Sequence, residues 1–192
     1  MLTKPDLAED KIAACVQANY GLPVRELAFL PLGADVNTAV YHLLTPDATP
    51  YFLKLRRGPF AAVSIALPRF LRDRGLSQVI APLPTRAGPL WATLEAYTAV
   101  LYPFIAGQDG YQIALTDEQW VAFGAALRRI HTAVPPPALH HQLHRETYTD
   151  KFREAVRRFL VQVDREETFV DAIAAELAAF LRAKQDEVEY LC

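Results

Sequence analysis

Apolar residues recur along this chain in two rhythms, and the change of rhythm divides it. In "KPDLAEDKIAACVQANYG" (residues 4–21), Leu7, Ile12, Cys15 and Val16 form the buried stripe of a first helix. Asp6 is placed to cap its start and Gly21 to stop it, because a short polar side chain accepts free N–H groups and glycine tolerates a left-handed turn. From residue 24 to 55 the period drops to two. "VRELAFLPL", "TAVYHLL" and "YFLKL" are short runs rich in β-branched and aromatic residues, separated by the turn-forming "GADVN" and "TPDATP". Two turns between three strands predict an antiparallel meander. "FAAVSIALPRFLRDRG" (60–75) then carries a helical stripe of Phe60, Val63, Leu67, Phe70 and Leu71, with Pro68 as a kink. "SQVIAPLPT", "LWATLEA" and "YTAVLYPFIAG" return to strand character, with "RAGP" as a turn.

After "AGQDG" (106–110) the strands stop. "TDEQWVAFGAALRRIHTAV" (116–134) predicts a helix capped by Thr116, with Gln119 completing a capping box and Trp120, Phe123, Leu127, Ile130 and Val134 as its stripe. "PPPALHHQLHRE" (135–146) reads as a loop. "TYTDKFREAVRRFLVQV" and "EETFVDAIAAELAAFLRAKQDEVEYLC" predict two more amphipathic helices. The last would present Phe169, Ile173, Leu177, Phe180 or Leu181, Val188 and Leu191 on one side. Strands followed by helices mean α+β or separate lobes, with the change near residue 105. The expectation is an antiparallel sheet of about five strands with helices over residues 1–105, then an all-helical part over 106–192.

Composition narrows the class without naming it. The 192 residues are 52% hydrophobic and 22% charged, with mean hydropathy +0.06 and formal net charge −2. That charge leaves no footprint for nucleic acid or an anionic membrane, and "LRDRG" and "REAVRRF" read as solvated faces. Nowhere do about 18 apolar residues run together, so no membrane helix is expected. Cys15 and Cys192 stand at opposite ends, neither a disulfide framework nor a metal spacing, which suits a reducing cytoplasm.

The candidate chemistry lies in "FLPLGADVNTAVYHLLTPDATPYFLKLRRG". Its third strand carries a lysine, Lys54, in apolar company, which is unfavourable unless an anion meets the charge. A small-residue turn at Gly33–Asn37 could fold over the phosphates of a nucleotide while Lys54 reaches them, as protein kinases use their strand lysine. Alternatively Lys54 marks an edge strand and deters aggregation. His140, His141 and His144, with Glu146, offer a weak metal-site pattern beside the simpler reading of a solvated loop, and His131 reads as a packing residue.

The order of elements, and above all "YFLKLRRGPF", "VIAPLPT" and "LYPFIAG", resembles the aminoglycoside phosphotransferase family. These are small-molecule kinases with a protein-kinase-like fold, related to choline kinases, and the resemblance leans to the branch containing spectinomycin phosphotransferases. The resemblance implies that Gly33, Ala34, Asp35 and Asn37 belong to the nucleotide-positioning loop. It implies that Lys54 orients the α- and β-phosphates, and that Tyr102, Pro103, Phe104 and Ile105 form a hinge whose backbone binds adenine. It implies ATP with Mg2+ as nucleotide and metal in the complete family, and a small polar hydroxyl compound as acceptor.

Two departures accompany it. No acidic residue precedes Asp73 on the helix after Lys54, where kinase-like proteins hold the lysine with a glutamate; Ala61 and Ala62 stand there instead. None of the five histidines begins the family's HxDxxxxN pattern, so no catalytic residue and no magnesium ligand is assigned. "DEVEYLC" resembles the lead-in to that loop. The expectation is therefore the N-terminal portion of such a kinase, inactive alone, that self-associates through the unpartnered apolar faces of its helical half. A natural short pseudokinase that binds nucleotide or serves assembly is the alternative.

Overall fold

The period-two runs pair as the turns between them dictate and form one side of an antiparallel sheet. The computed structural model describes residues 4–191 other than 34, 109, 111, 148, 166–168 and 170, with only the backbone of Leu191. Its strands are β1 (Glu26–Leu30), β2 (Thr38–Leu44), β3 (Pro50–Arg57), β4 (Ala92–Leu94) and β5 (Tyr97–Pro103), in the spatial order β1-β2-β3-β5-β4. The helices are α1 (Glu9–Tyr20), α2 (Val63–Asp73), α3 (Asp117–Thr132), α4 (Pro137–His140), α5 (Lys151–Arg165), α6 (Ala172–Ala183) and α7 (Gln185–Leu191). The chain divides into two compact units, residues 1–143 and 144–192.

In the first unit, strand alternation sorts the side chains onto two faces. Ala39, Tyr41 and Leu43 of β2, Leu53 and Leu55 of β3, and Ala99 and Leu101 of β5 are buried with Leu7, Ile12, Cys15 and Val16. This is the core, and α1 seals it. The other face carries Val40, Lys54 and Val100 side by side, and next to them His42, Phe52 and Tyr102. Tyr20 at the end of α1 donates its hydroxyl to the Ala99 carbonyl at 3.1 Å, tying the helix beneath β5.

Three local expectations are corrected here. Asp6 does not cap α1: the Leu7 N–H closes a tight turn onto Pro5, and the helix starts after Ala8, with no side-chain cap. Gly21 does stop it, at φ 72 with its N–H on the Gln17 carbonyl. "SQVIAPLPT" is not a strand, because Pro82 and Pro84 lack the N–H a ladder needs; only Leu83 bonds to β5, through the Leu101 carbonyl at 2.7 Å. On α2 the buried residues are Ile65 and Leu71, so Ile65 displaces part of the expected stripe.

The helix at 116–134 forms with its capping box intact. The Gln119 N–H donates to the Thr116 hydroxyl at 3.3 Å, and the Thr116 N–H donates to the Gln119 side chain at 2.9 Å. Yet among its described residues only Ala126 is buried, and Trp120 is 56% exposed. His131 is exposed, not packed. The expected loop at 135–146 contains one helical turn, α4, which starts on Pro137 and buries Leu139.

In the second unit, α5 and α6 pack together around Leu160, Val163 and Ala178. Arg182 donates to the Val163 carbonyl at 2.6 Å. The single helix expected over 166–192 is two. The Lys184 N–H bonds to both the Phe180 and Leu181 carbonyls, which tightens and closes α6, and a Lys184–Glu187 ion pair at 2.6 Å opens α7. The Asp171 side chain caps α6 by accepting the Ile173 N–H. Ile173, Leu177 and Phe180 remain exposed, as does Tyr190, while Cys192 lies outside the described residues. Among the described residues no helix is long and apolar enough to cross a membrane.

Candidate functional site

Lys54 stands on β3, and β3 lies between β2 and β5, so the edge-strand explanation of this lysine fails. Its strand neighbours are Val40 and Val100. Among the described residues it makes no hydrogen bond or ion pair. The facing helix supplies no counter-charge, because Asp73, the one acid of α2, is bound by Arg69 one turn earlier. A half-buried cation is thus left facing open space.

That space is a cavity of about 460 Å3, lined by Leu32, Phe52, Ile80 and Phe104 together with Lys54 and Tyr102. Pro103 and Ile105 complete its rim. The lining is mostly apolar and aromatic with one cation, which suits a flat apolar ring carrying an anionic tail. Phe104 is held by the edge of His42, ring centroids 4.6 Å apart, and Phe52 lies 6.4 Å from Tyr102. Burial raises the Tyr102 phenol above its ordinary pKa, so it is neutral at physiological pH.

The backbone at the rim has a definite polarity. The Phe104 N–H points to β3 and bonds the Pro50 carbonyl at 3.4 Å. Antiparallel ladders alternate the direction of successive backbone groups, so the Pro103 carbonyl, at the end of β5, faces away from β3. One backbone acceptor is therefore offered where Pro103 and Ile105 line the cavity. Tyr102 and Phe104 line the same cavity, Tyr102 on β5 and Phe104 tied to β3 through its N–H.

The turn between β1 and β2 is ordered around Asp35. Its carboxylate accepts from the Asn37 N–H and from the Thr38 hydroxyl, both at 3.0 Å. These hydrogen bonds, and then the nearby Arg56 and Lys54, hold the Asp35 carboxyl below the usual carboxylate range. Gly33 takes φ 104, a conformation that a side chain would oppose. The Asn37 carbonyl accepts from the Arg57 N–H at 2.8 Å, fastening the turn to β3. Ala34 lies outside the described residues.

The structure therefore brings Lys54 together with Tyr102, Pro103, Phe104 and Ile105, and sets Leu32, beside Gly33, on the same cavity. Asn37 lines a different space of about 440 Å3, with Lys4, Asp6, Arg57 and Glu95, whose mixed charges favour no one ligand sign. Sequence reasoning missed Phe52 and Arg56. The signal was available, since both are two residues from Lys54 and share its face. Leu32 and Ile80 arrive through loops and carry no such signal.

Among the described residues no three His, Cys, Asp or Glu side chains are grouped to hold a metal ion. His140, His141 and His144 are exposed, with the first two rings 6.3 Å apart.

A family profile, the phosphotransferase enzyme family, matches residues 28–190. No curated protein sequence matches the chain. The chain is similar to a crystal structure of spectinomycin phosphotransferase APH(9)-Ia in complex with ADP and spectinomycin, at TM-score 0.85 and 29% identity over 95% of the chain. It spans only 55% of that protein's length. The AMP-bound complex of the same enzyme gives TM-score 0.81 and 27% identity, again over 95% of this chain and 55% of the other. An aminoglycoside phosphotransferase from Alicyclobacillus acidocaldarius shares the fold at TM-score 0.62 and 15% identity, over 96% of this chain and 52% of its own.

Proposed function

Because the chain belongs to the phosphotransferase enzyme family, we propose that its cavity holds the nucleotide of a small-molecule kinase. Residues 1–105 form the nucleotide lobe and residues 106–192 begin the helical lobe. The reaction of the whole protein is transfer of the γ-phosphoryl of ATP to a hydroxyl of an aminoglycoside- or aminocyclitol-type compound, in the cytoplasm, where ATP is at hand.

The observation that carries this reading is the cavity itself: Lys54, without a hydrogen bond or ion pair among the described residues, lines it together with Pro103 and Ile105. Adenine fits between Leu32, Phe52, Ile80 and Phe104, with its amine donating to the Pro103 carbonyl and a ring nitrogen accepting from the Ile105 N–H. The α- and β-phosphates then meet Lys54, in charge-assisted contacts stronger than neutral hydrogen bonds. The turn at Gly33–Asn37 covers them from the β1–β2 side.

Binding and turnover are separate questions for this chain. Its 192 residues contain no HxDxxxxN sequence, and in kinases the aspartate of that loop receives the acceptor proton. The chain alone is therefore a nucleotide binder without phosphoryl transfer. Its exposed apolar stripes, Trp120, Phe123 and Leu127 on α3 and Ile173, Leu177 and Phe180 on α6, favour self-association.

Titration with ADP, followed by thermal melting, tests the binding half. A melting temperature that ADP leaves unmoved at millimolar concentration refutes it. Radiolabelled phosphoryl appearing on spectinomycin in the presence of this chain alone refutes the second half.

A further inference from the structure

Behind Lys54 stands a second cation that the nucleotide reading leaves unused. Arg56 follows Lys54 by two residues, so both leave β3 on the same face, roughly 7 Å apart along the strand. Both line a space of about 170 Å3 between the sheet and α2, where Ser64, Thr98 and Tyr102 are the polar neighbours and no carboxylate is present. The Arg56 Nε is buried and has no hydrogen-bond partner among the described residues. Its one ion pair there is long, 3.8 Å to the Asp35 carboxylate, and the two side chains are 39% and 44% exposed. Pairs of that kind contribute little and exchange readily.

Asp35 is meanwhile held by its own turn, so its charge stays fixed while Arg56 is only loosely attached. The acid missing from α2 is thus replaced by an acid on the β1–β2 turn, close to the second cation on β3. That arrangement would repel a phosphate unless an arginine stands between it and the carboxylate.

Resting on the nucleotide reading above, we infer that Arg56 is a second phosphate-contacting residue, paired with Asp35 in the empty site and turned onto the terminal phosphate when a nucleoside triphosphate is bound. Lys54 then takes the inner phosphates and Arg56 the outer one, a division that matches their spacing along the strand. Selectivity for the triphosphate over ADP follows from Arg56, since Lys54 meets the inner phosphates that both carry.

Calorimetric titration of the chain with AMP-PNP, ADP and AMP tests this, using the unaltered protein and the variants Arg56→Gln and Asp35→Asn. Arg56→Gln is expected to weaken AMP-PNP at least about tenfold, the scale of one hydrogen bond to a charged group, and ADP and AMP less than twofold. Asp35→Asn keeps an oxygen for the Asn37 N–H but removes the competing charge, so AMP-PNP binding should tighten severalfold.

Equal weakening of AMP and AMP-PNP by Arg56→Gln would overturn the inference, since the arginine would then only brace the turn. No change in either would overturn it too. If Arg56→Gln does not fold by circular dichroism, the Asp35→Asn arm decides, and unchanged or weaker AMP-PNP binding refutes the exchange. Failure of the unaltered chain to bind any of the three nucleotides sinks the nucleotide reading itself, and is distinguishable from every outcome above.

Discussion

Replacing Lys54 by methionine should separate binding from stability, because the lysine contributes to the two with opposite sign. In the free protein its ammonium lies half-buried between Val40 and Val100 with no ion-pair partner among the described residues. Methionine matches its length and removes a partly desolvated charge, so folding stability should stay within about 1 kcal/mol of the original, or rise. Nucleotide binding should fall by the worth of a charge-assisted contact, about 1.5–3 kcal/mol, or roughly 10- to 150-fold in Kd.

Thermal melting reads both quantities on one sample. Ligand at about 100 times Kd adds about 2.7 kcal/mol to stability, and a hundredfold weaker variant at the same concentration keeps only about 0.4 kcal/mol. Leu53→Ala, next door but wholly buried, is the reciprocal control. It should lose about 2–5 kcal/mol of stability and keep its full ligand-induced shift. The reasoning fails if Lys54→Met melts well below the original protein yet still responds fully to ADP, for then the lysine serves the fold and not a ligand.

The rim, the helices and the phenols each give a further test. Ile105→Pro removes the N–H offered to adenine and should weaken ADP about tenfold by calorimetry, whereas Ile105→Ala should not, since that side chain is largely exposed. Trp120→Ser with Phe123→Ser should shift sedimentation toward monomer and change the urea midpoint little, because both rings are more than half exposed. Gly21→Ala forces φ 72 on a residue with a side chain and sets its Cβ 2.6 Å from the Arg86 Nε, so a loss of about 1 kcal/mol is expected in urea. Burial pushes the Tyr20 and Tyr41 phenols up from 10.0 to about 12. Both hold their protons more tightly folded than unfolded, so stability is full below pH 10 and declines toward pH 12. The slope is up to about 1.4 kcal/mol per tyrosine per pH unit. Ultraviolet titration showing every tyrosine ionising near pH 10 while the protein stays folded would contradict this.

What could be read from the sequence, and what could not, divides by how local the determining physics is. The meander over residues 26–57, the capping box at Thr116 and the Gly21 stop depend on neighbours a few residues apart, and each appears where its pattern predicts. The break at Lys184 depends on hydrogen-bond partners that the local pattern does not specify, and the lost strand at 77–85 on prolines that the apolar run masked. Apolar periodicity gave no warning, because "SQVIAPLPT" is as apolar as a strand and only its prolines deny it a ladder. The helical stripes show the same limit from the other side. Their period is right, but a period states which face is apolar and not what covers it, and Trp120 and Phe180 remain largely exposed.

The candidate site was half legible for a related reason. Lys54 stood out because a cation in an apolar strand is anomalous on its own, and the hinge because "LYPFIAG" resembles a family. Arg56 drew no notice as one of two arginines closing a strand, and Asp35 stood out only as a member of the loop that the family resemblance implies. Neither residue is unusual alone; what matters is that the turn brings a fixed carboxylate to 3.8 Å from a guanidinium on the cation-bearing face. Sequence distance hides that pairing, since 21 positions separate them, and the β2–β3 register creates it by setting Thr38 opposite Arg56. A search for the lysine's acidic partner along the following helix was bound to fail here. The acid of the preceding turn, Asp35, pairs instead with Arg56, the second cation on the same face of β3.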